Sequence, residues 1–83
     1  MEVNHLIKIK MSTCGEQAIK THRDGTTSHY VVNAMVRGTL RLFTVMIHDE
    51  GVEVFQVIDG DECVCDDAVC HENVYRVMMS IKI

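Results

Sequence analysis

The sequence predicts a small α+β domain: an antiparallel sheet of four to five strands, centred on a three-stranded meander over residues 30–58, with one or two short helices. Three observations carry this. Residues 28–58 hold three runs rich in Val, Ile, Leu, Phe, Thr and Tyr, the types that suit a pleated, half-buried surface. The runs are separated by Arg37-Gly38-Thr39 and Asp49-Glu50-Gly51, and glycine supplies the positive φ that a tight hairpin needs. The chain has 83 residues, 47% of them hydrophobic, which suits one globular domain with a modest core.

Taken in order, residues 3–11 read as a strand. Ile7, Ile9 and Met11 share one phase and Lys8 and Lys10 the other, and outward lysines suit an edge strand. Residues 12–24 read as a loop and a short helix, with Ser12 or Thr13 as N-cap and Glu16 as its capping partner. Asp24-Gly25 marks a turn.

The meander runs are 30–36, 40–47 and 52–58. In the middle run Leu40, Leu42, Thr44 and Met46 alternate with Arg41, Phe43, Val45 and Ile47. Both phases are largely apolar, so this strand is predicted to be central and covered on both faces. In the third run Val52, Val54, Gln56 and Ile58 alternate with Glu53, Phe55 and Val57. A helix is the usual cover for such a sheet, and a partner chain is the other.

Residues 59–73 read as an acidic loop in which Asp66 or Asp67 caps a helical turn over 68–73. The last run, 74–83, fits two templates. Tyr75, Val77, Met79, Ile81 and Ile83 alternate as in a strand, while Cys70, Val74, Val77, Met78 and Ile81 follow helical spacing. Its Val, Tyr and Ile content and the lack of a C-capping glycine favour a strand in its C-terminal half. The competitor is a helix from Asp67 to about Ser80, which would supply the missing cover.

Composition narrows the function. The four aromatics, Tyr30, Tyr75, Phe43 and Phe55, are few for a single-strand nucleic-acid binder. Lys8, Lys10, Lys20, Arg23, Arg37 and Arg41 are too sparse for a nucleic-acid surface at pI about 5.6. No apolar run reaches the roughly 18 residues of a membrane helix, and Lys8 and Lys10 interrupt any signal-peptide core. The expected location is therefore cytoplasmic, with the four cysteines reduced, and neither direct nucleic-acid binding nor membrane contact is expected.

Charge is unevenly placed. Residues 1–48 carry six Lys/Arg against three Asp/Glu, and residues 49–83 carry two against nine. Asp59, Asp61, Glu62, Asp66, Asp67 and Glu72 fall in 14 positions with no Lys or Arg among them. A charge run is often only a solvated loop. The functional alternative is a surface for a basic partner, because carboxylates can occupy Lys/Arg sites built for phosphates. The order D-G-D-E-C-V-C-D-D lacks the ligand spacing and internal glycine of an EF-hand.

Cys63, Cys65, Cys70 and His71 offer four zinc-type ligands in nine positions, without the paired C-x2-C knuckles of structural zinc sites. Free cysteines are as readily small buried hydrophobes, so no metal or cofactor is expected. The neighbours Cys70–His71 and Ser28–His29 resemble dyads only on paper, since adjacent residues diverge in helices and strands. Cys14, near the expected helix start, could have a lowered pKa. No phosphate loop, H-E-x-x-H or G-x-S-x-G is present.

The sequence thus points to a non-enzymatic protein-binding module whose acidic residues 59–72 block a basic, nucleic-acid-binding site on a partner protein. The alternative is a small zinc-binding or redox-responsive domain using Cys63, Cys65, Cys70 and His71. A tiny acidic α+β chain without catalytic motifs resembles, in composition alone, phage or mobile-element inhibitors, anti-CRISPR proteins among them. A homodimer is also expected, with Met79 and Ile81 at its interface, because a 74–83 strand would need a neighbour that a short chain does not supply. The competing outcome is a monomer with a helix across the sheet.

Overall fold

The computed structural model describes residues 15–80. Five strands form one antiparallel sheet: β1 (Gln17–Asp24), β2 (Thr27–Val36), β3 (Thr39–His48), β4 (Gly51–Ile58) and β5 (Asp61–Val64). Their spatial order is their chain order, β1-β2-β3-β4-β5. One helix follows, α1 (Ala68–Met78). The α+β class and the central meander are as expected, with β2, β3 and β4 enclosing the three predicted runs.

Both flanks of the meander differ from expectation. Residues 17–24 form β1 and not a helix. Glu16, Gln17 and Ala18 favour helix only locally, whereas β1 pairs with β2 from Gln17↔Asn33 to Asp24↔Thr27. Residues 61–64, expected as loop, form β5 and pair with β4 from Phe55↔Val64 to Ile58↔Asp61. The two-residue turns before β3 and β5, Arg37-Gly38 and Asp59-Gly60, have positive φ at both positions. Such turns match the twist of the strands they join, and a glycine in second place suits them.

Of the two readings of 74–83, the helical competitor forms, as α1 through Met78; Met79 and Ser80, in the half favoured as strand, turn instead, and 81–83 lie outside the described residues. Asp67 stands at the N-cap in extended conformation, and its side chain accepts from Val69 N at 2.9 Å. Cys70, Val74 and Val77 are buried at helical spacing, while Tyr75 and Met79 of the strand phase are exposed. Both periodicities were present in the sequence, and the helical one wins because it covers a sheet face. Arg76 lies in the last turn, where a cation complements the helix dipole. The strand expected over 3–11, the caps Ser12 and Thr13, and Cys14 and Ile81 lie outside the described residues.

The helix packs chiefly on β2 and reaches β1, with its N-terminus held beside the β2–β3 turn by Arg37. Val32, Ala34 and Val36 of β2, Phe43 and Val45 of β3 and Val54 of β4 meet Cys65, Cys70, Val74 and Val77 in one buried cluster. Burial of a Val-sized side chain stabilises by about 1.5–3 kcal/mol relative to exposure. Two exposed ion pairs flank the seam. Arg37 Nη1 donates to Asp67 Oδ2 at 2.9 Å. Arg76 grips Glu16 through both carboxylate oxygens, at 3.0 and 2.6 Å, and Met35 N donates to the same carboxylate at 2.7 Å.

The other phase of the central strands is buried too. Val31, Asn33, Leu42 and Thr44 are each under a tenth exposed, although the helix lies on the opposite face. Among the described residues the Asn33 amide and the Thr44 hydroxyl have no hydrogen-bond partner there.

Candidate functional site

The predicted site residues divide into three groups. Asp59 sits in the β4–β5 turn, Asp61 and Glu62 open β5, and Asp66 lies in the connection to the helix; all four are exposed. Among the described residues none takes part in an ion pair, and β5 is an edge strand with every one of its residues exposed. Asp61 pairs with Ile58 and Glu62 with Val57. Neighbouring residues of a strand point to opposite faces, so the two carboxylates flank the edge on both sides. Val64, 71% exposed, and Ile58, 49% exposed, supply apolar contacts beside them.

Asp67 serves the fold. It caps the helix and holds Arg37, and the Arg37 bond followed by the Val69 amide lowers its pKa to about 2. Glu16, which sequence reasoning treated only as a helix cap, is its counterpart at the far end of the helix. The Arg76 bond and then the Met35 amide lower its pKa to about 2. Glu72 stands exposed on the helix, on a different element from the β5 acids. The acidic run is therefore a strand edge bearing four exposed carboxylates, a fifth that is engaged, and a sixth set apart.

The cysteine segment is not assembled as a ligand set. Cys63 is exposed, while Cys65 and Cys70 are buried in the core. His71 Nε2 donates to the Cys65 carbonyl oxygen, and its ring meets Tyr75 edge-on at 5.9 Å between centroids. Among the described residues no three His, Cys, Asp or Glu side chains are placed to hold a metal ion. Burial, followed by a hydrogen bond with Cys65, raises the pKa of the Cys70 thiol, and a protonated thiol is a poor nucleophile. Cys70 and His71 do not form a dyad, because His71 is tied to backbone. The His29 ring stacks on His22 at 4.1 Å and not on Ser28.

Among the described residues no helix is long and apolar enough to cross a membrane. Among the described residues the fold is an antiparallel meander, partly covered on one face by one helix and fringed with acid at its last strand. Compared with known proteins, this chain matches no family model, no curated sequence and no solved structure.

Proposed function

We propose that the chain is a non-enzymatic protein-binding module that sets its acidic β5 edge against a basic, nucleic-acid-binding surface of a partner protein. One observation supports this most: Asp59, Asp61, Glu62 and Asp66 are exposed in or beside β5, which is an edge strand among the described residues, and none of them pairs with a described cation. Lys and Arg side chains bind carboxylates through the same charge-assisted bonds that they form with phosphates. The open backbone edge adds a second means of contact, since an extended partner segment can pair with it. In the cell such a module acts as an inhibitor of the phage or mobile-element kind, anti-CRISPR proteins being the type. It works in the cytoplasm, where Cys63, Cys65 and Cys70 stay reduced.

The test is affinity capture from lysate at about 50 mM and about 500 mM salt, where the Debye length falls from about 14 Å to about 4 Å. A partner with a basic surface is expected at low salt, and in much smaller yield at high salt. The variant Asp61→Lys/Asp66→Lys is expected to lose it at both. A partner that ignores this double reversal, or no partner at either salt, overturns the reading.

A further inference from the structure

Among the described residues α1 packs chiefly on β2 and reaches β1, held by Asp67 on Arg37 and by Arg76 on Glu16. It leaves the part of its sheet face toward the β3–β4 turn uncovered. There Tyr30, Ile47 and Val52 form the floor of an apolar groove of about 860 Å³, and Tyr75, Met78 and Met79 form its helical wall. Val52 is 41% exposed, Tyr75 38% and Met79 87%. Exposed apolar residues gathered in one concavity mark an interaction surface more often than scattered ones do.

We propose that the occupant of this groove is a second copy of the chain, related by a two-fold axis. The dimer expected from the sequence rested on an unpaired C-terminal strand, which the helix replaces; the groove is a separate basis for it. Two features select a second copy. First, the groove carries its own plug. Met79 stands proud at the end of the helical wall beside the half-buried Tyr30, Ile47 and Met78. A two-fold contact presents the same patch twice, so each Met79 can enter the groove of its partner.

Second, the rims are oppositely charged. Lys20 lines the β1 side. The Asp49-Glu50 turn follows Ile47 and precedes Val52 on the β3–β4 side. All three charged residues are exposed, and none is in an ion pair among the described residues. A two-fold axis lying between the rims sets each Lys20 opposite the Asp49-Glu50 turn of the other copy. The patch is thus complementary to itself, whereas a uniformly basic or acidic partner would meet one rim of like charge. The β5 acids do not oppose this contact, because β5 pairs only with Phe55–Ile58, the half of β4 away from Val52.

A standard interface buries about 800 Å² on each copy, close to a seventh of the 5415 Å² surface. A contact limited to the groove and its rims falls at the low end of interface sizes, where weak, transient association is usual. The contact is independent of the proposed partner binding at β5.

Sedimentation equilibrium from about 1 µM to about 1 mM, a span that covers weak association, tests the proposal. The mean mass is expected to rise from the 9.4 kDa of one chain toward twice that value. Met79→Glu is expected to stay at one chain throughout. Lys20→Glu is expected to weaken association at least ~10-fold, and adding Asp49→Lys and Glu50→Lys to it is expected to restore it. Far-UV circular dichroism confirms that these surface variants are folded. A mass of one chain at every concentration overturns the proposal, as does a dimer unchanged by Met79→Glu. Failure of the triple variant to recover association overturns the rim pairing.

Discussion

The helix–sheet seam and the β5 edge are both acidic, and they use their carboxylates in opposite ways. At the seam, Glu16 and Asp67 each accept from an arginine and from a backbone amide. Both are held at about 2, below the ordinary carboxylate range. In and beside β5, Asp59, Asp61, Glu62 and Asp66 have no such partners among the described residues. Seam acids are fixed in place by the fold, and exposed ion pairs of this kind add modestly to it. Edge acids face solvent, and charges of one sign along an edge discourage β5 from pairing with a copy of itself.

The largest effect that separates the two regions comes from placing a new carboxylate in each. Val74→Asp buries an unpaired charge at a fully buried seam position. That costs several kcal/mol, out of a total stability of about 5–15 kcal/mol for a domain of ordinary size. Urea titration should find its unfolding midpoint drastically lowered, or no folded baseline at all. Val64→Asp, on the exposed edge, should shift stability by no more than about 0.5 kcal/mol. Comparable losses from both would erase the distinction.

Acid titration gives the next effect. The folded-state pKa values of Glu16 and Asp67 are about 2, against ordinary values of 4.5 and 3.8. A depressed pKa stabilises above the unfolded value and ceases to do so as pH falls through the folded one. Stability should therefore decline between about pH 5 and pH 2. The Glu16→Gln/Asp67→Asn variant should decline less steeply, which thermal melts across that range would read. Identical slopes would show that the seam acids are not responsible.

Smaller again is Glu16→Gln alone at neutral pH. It trades a two-oxygen grip on Arg76 for a neutral amide, and should cost roughly 0.5–1 kcal/mol in urea unfolding. Smallest is Asp61→Asn/Asp66→Asn. With no partners among the described residues to lose, this variant should keep the wild-type urea midpoint while weakening capture of a basic partner. A clear loss of stability would reveal a structural role for the edge acids.

The meander was legible because its information is local. Alternating apolar residues set the faces of β3, and Gly38 and Gly51 set its ends. β1 and β5 were hidden because their pairing is not written in their own side chains. Glu16-Gln17-Ala18 has a helical composition, and Asp61-Glu62-Cys63-Val64 shows acids where a strand usually shows apolar residues. The signals that would have found them are the turns: Asp24-Gly25 and Asp59-Gly60 both imply a strand on either side. At 74–83 two periodicities coexisted, and the bare sheet face decided between them. For the acidic site, charge was legible but engagement was not. The partner of Asp67 is 30 residues away and that of Glu16 is 60 away, separations that a reading of neighbouring residues does not bridge.

The strand order carries a consequence for how quickly the chain folds. Each strand pairs with the one before it in sequence, across turns of two residues. Hairpins of this kind close in about 1–10 µs, and the sheet can grow from any of them without a long crossover. The remote closure is the helix reaching back to β1 and β2, where Arg76 meets Glu16. Helix docking over a preformed meander is thus the natural late step, and it carries the largest loop-closure cost. With no proline in the chain, no isomerisation phase of 10–100 s follows it. Refolding after dilution from urea should finish in a single fast phase, governed by how often the helix finds its place on the sheet.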